Sequence, residues 1–316
     1  MKHFIKYYFL LFTFYFLFSS CDKVKNPYVN THNSAVGCPN PVFPAKAFVR
    51  KVLVEDYTGH RCVNCPPAAV TLENIRAVYP TQVVGIAVHA NFWAEPSPCN
   101  PPPGGLPSDA FYHYLGCPAA ENYFTSFGFA SNPNGMVNRI PVGGSPVISN
   151  GTWKSVVDTI VTKPPVADIN IFTNYNNSTN KLCVSCKTTF LNAMQGTFNL
   201  SILFVEDSIF DWQAFAGSDS SNYLFRYVVR DDINGAGTGF GPTIKINPAL
   251  NDTVVSSYSY SVPTGYAFTS ASCPAPLAVS PCNPSHCYVV AFIYDGNSAS
   301  ATYREIIQAE IKKIYP

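Results

Sequence analysis

Hydrophobic residues follow three patterns along this chain, and each predicts a different kind of segment. An apolar run covers residues 7–18 after a short basic start. Residues 51–161 alternate strand-like apolar runs with stretches in which apolar residues recur every three or four positions. Beyond Lys163-Pro164-Pro165, apolar and polar residues alternate, which is typical of strands with one buried face. The patterns predict a leader, an α/β region at 48–163 and an all-β region at 164–316.

Strand and helix signals alternate through the α/β region. The predicted strands are 51–57, 83–89 and 136–140, and the predicted helices are 66–79 and 152–161, with helical stretches in 109–127. This alternation predicts a three-layer α/β domain, interrupted by a Pro-rich insertion near 91–122. Seven short strands predict a β-sandwich for the second region: 166–175, 181–191, 197–206, 223–230, 253–262, 287–294 and 302–314. A helix is the alternative for the last of them, because residues 305–312 are rich in helix formers.

The leader has the organisation of a bacterial export signal. The apolar run would be about 18 Å long as a helix, against roughly 30 Å of membrane hydrocarbon, so it is too short for a permanent span. Residues 17–21 resemble a lipobox, which predicts a signal peptide at 1–20 and lipidation of Cys21. The polar stretch 21–47 then reads as a flexible tether. An ordinary cleaved signal peptide that leaves Cys21 unmodified is the alternative.

Composition and charge narrow the possible partners. The net charge is +1 and only 12% of residues are charged, without any basic run, so no nucleic-acid partner is expected. The chain contains 11 cysteines, and removing Cys21 leaves an even number, which in an exported protein favours disulfides. The histidines show no metal-ligand spacing, so neither a metal nor another cofactor is predicted.

The motif with the clearest chemistry is Cys62-Val63-Asn64-Cys65. It follows a predicted strand and a Thr-Gly turn and precedes a predicted helix, which is the arrangement of a thioredoxin-type redox site. The positive end of the helix dipole would favour the Cys62 thiolate, and positive charge on His60 or Arg61 would add to this effect. Cys62 is then the attacking thiol and Cys65 the resolving thiol.

Two further residues complete the predicted catalytic set. Asp56 lies six residues before Cys62, where a buried carboxylate assists proton transfer in thioredoxins. Strand alternation leaves either Glu55 or Asp56 facing the site. Pro133 precedes the predicted strand 136–140, at the point where thioredoxin-like folds place a cis-proline beside the CxxC. An exposed carboxylate and an ordinary trans turn are the respective alternatives.

The other cysteines are candidates for structural disulfides. Cys99 and Cys117 flank the insertion, and a bond between them would hold it over the CxxC, with Cys38 as a rival partner for either. Cys183 and Cys186 form a second CxxC inside a strand pattern, where residues three apart point to opposite faces. Each is therefore expected to form a separate disulfide with one of the later cysteines: Cys273, Cys282 or Cys287.

Three stretches resemble one family, the bacterial outer-membrane lipoproteins of the Omp-twenty-eight-related family. They are the run from Val52 to Pro66, the segment from Phe127 to Arg139, and Val289–Asp295. The resemblance implies a thioredoxin-like domain followed by an immunoglobulin-like β domain, exposed at the cell envelope. One difference from ordinary thioredoxins is Arg61, which replaces the aromatic residue usually found before the first cysteine.

Two functional hypotheses follow. In the first, a lipoprotein of the cell envelope, anchored in the outer membrane, exchanges thiols and disulfides with exported proteins that contain cysteine. In the second, the lipoprotein is a non-catalytic scaffold or binder of other surface proteins, and Cys62–Cys65 is a structural disulfide. The first requires an accessible Cys62 and a reducing partner, and the second requires neither.

The leader generates a direct prediction. Cys21→Ala removes the only expected site of lipid attachment, and stable anchoring depends on the buried acyl chains. We therefore expect the variant to leave the membrane fraction and appear in the soluble fraction, as measured by cell fractionation and immunoblotting. Continued association of the variant with membranes would count against a lipid anchor.

Overall fold

The computed structural model describes residues 35, 37–97, 105–107, 109–263 and 282–315. The predicted signal peptide, the lipidated Cys21, most of the predicted tether, Cys99 and Cys273 lie outside these residues.

The described residues form a mostly β protein with few helices. The helices are α1 (Cys65–Val78), α2 (Pro118–Ser126) and α3 (Asn150–Val161), and a 3-10 turn covers Pro284–His286. No helix in the described ranges is long and apolar enough to cross a bilayer. The first strands are β1 (Val52–Thr58), β2 (Val83–His89), β3 (Asn134–Val137), β4 (Ala167–Asn176), β5 (Lys181–Phe190), β6 (Thr197–Glu206) and β7 (Ile209–Gln213). The remaining strands are β8 (Ser220–Phe225), β9 (Val228–Asp232), β10 (Thr243–Ile246), β11 (Thr253–Ser261), β12 (Cys287–Asp295) and β13 (Ile306–Lys313).

One mixed sheet runs through both halves of the chain. Its strand order is β13-β12-β6-β9-β2-β1-β3, with β10 paired to β6. Strands β1 and β2 are parallel, β3 is antiparallel to β1, and the halves join where Ala87 of β2 pairs with Val228 of β9. Helix α3 ends at Val161 and β4 begins at Ala167, so the change of pattern near residue 163 is present in the structure. The sheet nevertheless continues across that boundary.

Strand β1 presents alternate side chains to two different layers. Val52 and Val54 pack with α1 and α3 on one face. Leu53 and Tyr57 pack on the other face with α2 and with strands of the second half. Because side chains alternate along a strand, Asp56 lies on the α1 face and Glu55 on the α2 face. This resolves the alternative left open by the sequence.

The second half adds a further layer. Strands β11, β5 and β4 form an antiparallel three-stranded sheet, and their apolar faces pack against β6 and β12 of the large sheet. On β12, Val289 and Ala291 contact this small sheet, whereas Val290 and Phe292 face the core around α2. Strands β6 and β12 are therefore buried on both faces. The segment 302–314 contains a strand, β13, and no helix.

Two predicted strands differ from the observed ones because of left-handed backbone positions. Asn138 and Arg139 have φ values of 48° and 56°, so β3 ends at Val137 instead of continuing to Ile140. Tyr227 has a φ of 48° and separates β8 from β9, which the sequence pattern joins into one strand. Residues other than glycine adopt such angles infrequently. Here hydrogen bonds to residues distant in sequence hold them, from Asn138 and Arg139 to β1 and from Tyr227 to Asp207.

The prediction for Cys38 was wrong, because Cys38 is bonded to Cys183 rather than to Cys99 or Cys117. The predicted partners of Cys183 were wrong for the same reason. Asn170 also donates a hydrogen bond to the carbonyl of Pro44, and the Lys46 ammonium lies 3.3 Å from the carboxylate of Asp168. The last ten residues assigned to the tether are thus fastened to the small sheet.

A fully buried ion pair lies where the layers meet. Arg139 donates two hydrogen bonds to Glu55, from Nε to Oε2 at 2.9 Å and from Nη2 to Oε1 at 2.8 Å. Neither side chain is exposed to solvent. Four aromatic rings enclose the guanidinium at 4.6–5.7 Å: Tyr123, Phe127, Phe240 and Phe292. The first two rings belong to the first half of the chain and the last two to the second half.

This arrangement predicts a large loss of stability when either partner is removed. We expect Arg139→Met or Glu55→Gln to lower the free energy of unfolding by about 3–5 kcal/mol, because each leaves a buried polar partner without its counterpart. The double variant should cost less than the sum of the two single variants. Urea unfolding measures these values.

The exposed pair between Lys154 and Asp158 provides the control. Lys154→Ala should change the free energy of unfolding far less, because solvent-exposed ion pairs contribute little to stability. A cost below about 1 kcal/mol for Arg139→Met would show that the buried pair does not hold the halves together.

Candidate functional site: a covered CxxC disulfide

The two cysteines of the CxxC form a disulfide at the carboxyl end of β1. The Cys62 amide donates to the carbonyl of Gly59, and the Cys65 amide donates to the carbonyl of Cys62, so the motif is a compact turn. Helix α1 begins at Cys65, and Asn64 occupies its N-cap position without a side-chain capping bond. A Cβ at Gly59 would collide with the backbone of Trp93, which explains the glycine in this turn.

A hairpin from the second half of the chain covers the disulfide. Strands β7 and β8 form a two-stranded sheet, and we call residues 209–225 the cover hairpin. Gln213 Nε2 donates to the carbonyls of Cys62 at 3.0 Å and Ala214 at 2.9 Å, and the Ala214 amide donates to the carbonyl of His60 at 2.7 Å. Cys62 is 3% exposed and Cys65 is 1% exposed. In this arrangement neither sulfur is accessible to a protein substrate.

The insertion near 91–122 contributes a second part of the cover. The Phe111 ring lies 5.4 Å from the His60 ring and 5.5 Å from the Arg61 guanidinium. His60 is fully buried, its Nε2 lies 3.0 Å from the carbonyl oxygen of Glu95, and burial lowers its pKa to about 4. The expected positive charge on His60 is therefore wrong, because a histidine with this pKa is neutral at neutral pH. Of the two residues before Cys62, Arg61 is the one that carries positive charge.

A cavity of about 270 Å³ lies between α1, the ends of β1 and β2, and the cover hairpin. Asp56, Cys65, His89, Gln213, Tyr223 and Phe225 are among its lining residues. Asp56 is 1% exposed, and its Oδ1 has no hydrogen-bond partner. Burial raises the pKa of Asp56 to about 8 and lowers the pKa of His89 well below its usual value. These two groups, which line the same cavity as the resolving cysteine, are therefore neutral at pH 7.

The predicted proline lies at the edge of this site. The Asn132–Pro133 peptide bond is cis, as the sequence predicts. Asn132 Nδ2 donates to the carbonyl of Thr58 at 3.0 Å, which places the proline beside the end of β1. Strand β3 follows directly and pairs with β1, where Asp56 lies opposite Gly135. The structure thus gathers three predicted site residues, Asp56, Cys65 and Pro133, around the end of one strand.

The remaining cysteines occupy three different environments. Cys117 and Cys186 are buried without a disulfide partner among the described residues, and burial raises the pKa of Cys117 to about 12. Cys183 and Cys186 face opposite sides of β5, as expected, since only Cys186 belongs to the core under the small sheet. Cys282 and Cys287 lie close together without a bond, with Sγ atoms 2.9 Å apart.

Sequence reasoning missed Gln213 and the cover hairpin. The only local signal is the short segment Ile209–Gln213, in which Ile209, Asp211 and Gln213 are buried and Phe210 is exposed. That pattern reverses the usual polarity, because two polar side chains point inward. His113 contacts Asp211 at 2.8 Å, and this carboxylate raises the pKa of His113, so the hairpin is also tied to the insertion.

The fold and site define a mostly β protein with a buried CxxC disulfide at the start of a helix. No protein-family model matches the chain, and no curated protein sequence matches it significantly. Among solved structures, HBP35 of Porphyromonas gingivalis is similar in fold, with a TM-score of 0.61 and 14% identity over 85% of this chain and 77% of that one. A structural-genomics protein from Agrobacterium tumefaciens has a TM-score of 0.45, 13% identity, and coverage of 85% and 96%.

The raised pKa of Asp56 predicts a pH dependence of stability. The unfolded carboxyl titrates near 3.8, whereas the folded one keeps its proton until about pH 8. The folded state therefore binds more protons between these values, and the free energy of unfolding falls as the pH rises from 3.8 to about 8. Asp56→Asn removes this contribution. The free energy of unfolding, measured with urea, should decrease less between pH 5 and pH 9 in the variant than in the wild type. The difference should be on the order of 1–4 kcal/mol.

Asp158→Asn is the control, because Asp158 is a solvent-exposed carboxylate. This variant should keep the pH dependence of the wild type apart from small surface effects. If Asp56→Asn keeps it as well, Asp56 ionises normally in the folded protein.

Proposed function

We propose that this protein is a cell-envelope lipoprotein whose first half is a thioredoxin-like module and whose second half is an immunoglobulin-like β unit. The first half exchanges thiols and disulfides with exported proteins through Cys62 and Cys65. The order of β1, the CxxC, α1, β2, the cis-proline and β3 supports the thioredoxin-like assignment. The lipobox-like residues 17–21 support the location at the envelope.

The observation that supports the redox activity is the buried carboxyl group of Asp56, whose Oδ1 has no hydrogen-bond partner and which lines the same cavity as Cys65. Burying a polar group without a partner costs roughly 1–3 kcal/mol by protein mutational data, and a structural disulfide gains nothing from such a group. A group with a pKa near 8 can accept and return a proton near neutral pH, which is what a resolving thiol requires. Clusters of this kind occur at catalytic sites.

The exchange proceeds in two balanced steps. The Cys62 thiolate attacks one sulfur of a substrate disulfide, the substrate S–S bond breaks, and the departing thiolate takes a proton. Opening of the cover hairpin ionises Asp56, which takes the proton of the Cys65 thiol. The Cys65 thiolate then attacks the Cys62 sulfur, and the departing substrate sulfur takes a proton. This attack releases the second substrate thiol and leaves the Cys62–Cys65 disulfide seen in the structure. An exported dithiol reductant returns the pair to the reduced state.

A second function is favoured by a different observation. Both sulfurs lie beneath the cover hairpin, and Gln213 bonds the Cys62 carbonyl directly. A scaffold or surface-binding protein that uses Cys62–Cys65 only to fix the turn would have this appearance. The two functions differ in whether the cover opens.

The reactivity of the disulfide distinguishes these functions. In a glutathione redox buffer we expect the Cys62–Cys65 pair to equilibrate, as measured by alkylation and mass spectrometry, with Cys62→Ser as the blank. Gln213→Ala removes the hydrogen bond between the cover hairpin and the Cys62 carbonyl. At roughly 1 kcal/mol for one hydrogen bond, this should speed equilibration about fivefold. A reduction potential below about −300 mV with no exchange in either protein supports the scaffold function.

Gln308→Ala is the matched control. Gln308 is also a buried glutamine whose side chain bonds backbone groups, namely the carbonyl of Val49 and the amide of Lys51. It belongs to β13, not to the cover hairpin. This variant should lose similar stability without faster exchange. Equal acceleration in both variants would mean that exchange follows general destabilisation and not the opening of the cover.

A further inference from the structure

The sulfur atoms of Cys282 and Cys287, which are far from the CxxC in sequence, lie closer together than nonbonded atoms usually do. Cys282 is half-buried, and Cys287 is the buried first residue of β12. The loop between them contains the 3-10 turn Pro284–His286. Their Sγ atoms are 2.9 Å apart, whereas nonbonded heavy atoms usually lie about 3.5–4.0 Å apart. This contact is short enough for a bond to form after a small rotation of the side chains.

Glu206 is the third member of this cluster. It pairs with Cys287 across β6 and β12, and its carboxylate lies within 4.8 Å of both sulfurs. Three such groups also suit a zinc ion. However, two sulfurs that share a tetrahedral zinc at about 2.3 Å would lie roughly 3.8 Å apart. The carboxylate is also engaged, because the Asn283 amide donates to its Oε1 at 2.8 Å and Arg230 Nε lies 3.6 Å from its Oε2. The geometry therefore favours a sulfur–sulfur bond.

The same loop holds the base of the cover hairpin. The Asp207 amide, two residues before β7, donates to the carbonyl of His286 at 3.0 Å. Asp207 Oδ1 in turn accepts hydrogen bonds from Arg226 Nε at 2.6 Å and from the Tyr227 amide at 3.3 Å, both directly after β8. Asp207 thus bridges the two ends of the cover hairpin, and the loop 282–287 fixes Asp207.

We propose that Cys282 and Cys287 form a disulfide by exchange with a disulfide-bearing oxidant, and that this bond anchors the base of the cover hairpin. Both thiols lose their protons and the pair loses two electrons. The oxidant gains these electrons, its own S–S bond breaks, and it leaves as two thiols. The bond restricts the loop that carries His286 and Asn283, and therefore the strand end at Glu206 and Asp207. This inference does not depend on whether the CxxC is catalytic.

Peptide mapping tests the bond itself. The mature chain is incubated with oxidised glutathione, free thiols are alkylated, and the digest is analysed by mass spectrometry. We expect a peptide in which Cys282 is linked to Cys287. A peptide that links either residue to Cys273, or a pair that remains reduced and retains zinc in native mass spectrometry, would overturn the assignment.

Hydrogen exchange tests the anchoring. In Cys282→Ala we expect the amides of residues 209–225 to exchange about tenfold faster than in the oxidised wild type, while α3 keeps its protection. Cys282 is half-buried, so this variant removes little core packing. Cys186→Ala is the control, because Cys186 is a buried cysteine on the small sheet that has no disulfide partner within the described ranges. Unchanged protection of the cover hairpin in Cys282→Ala, or an equal loss of protection in Cys186→Ala, would refute the anchoring.

Discussion

The rest of the structure depends on the buried ion pair between Glu55 and Arg139. A charge pair without solvent is tolerated only where its geometry and its surroundings are both fixed. Here the geometry is bidentate, and the surroundings are aromatic rings from α2 and its end and from the second half of the chain. The pair therefore sets the position of β1 relative to both neighbouring layers. Because side chains alternate, fixing Glu55 on one face also fixes Asp56 on the other, beneath the CxxC.

The shared sheet explains why a hairpin from the second half lies over the disulfide. Strand β9 runs parallel to β2, and their pairing at Ala87 and Val228 joins the start of β9 to the end of β2. The cover hairpin immediately precedes β9. It therefore lies at the carboxyl ends of β1 and β2, where the CxxC turn also begins. The cover is thus a consequence of strand order. A second half attached by a flexible linker would not place Gln213 against Cys62.

Local patterns were sufficient for the features that depend on neighbouring residues in sequence. The strand before Cys62, the helix after Cys65 and the cis-proline before β3 were all predicted, because each is specified by a run of a few residues. The Cys38–Cys183 bond and the cover hairpin were not predicted, because they depend on which strands become neighbours. Likewise, no local pattern shows that Tyr227 adopts a positive φ. This conformation is held by a hydrogen bond that the Tyr227 amide donates to Asp207, which is 20 residues away in sequence.

The hairpin that covers the disulfide also contributes to the raised pKa of Asp56. The cover hairpin lines the cavity together with Asp56, and burial of the carboxyl group is the cause of its raised pKa. Moving the hairpin away would admit solvent, lower the pKa of Asp56 towards its ordinary value, and leave the carboxylate ionised at neutral pH. The same movement would expose Cys62. Opening would therefore provide the base for Cys65 at the moment when a substrate can reach Cys62, so a buried disulfide and an exchange activity are compatible in one molecule.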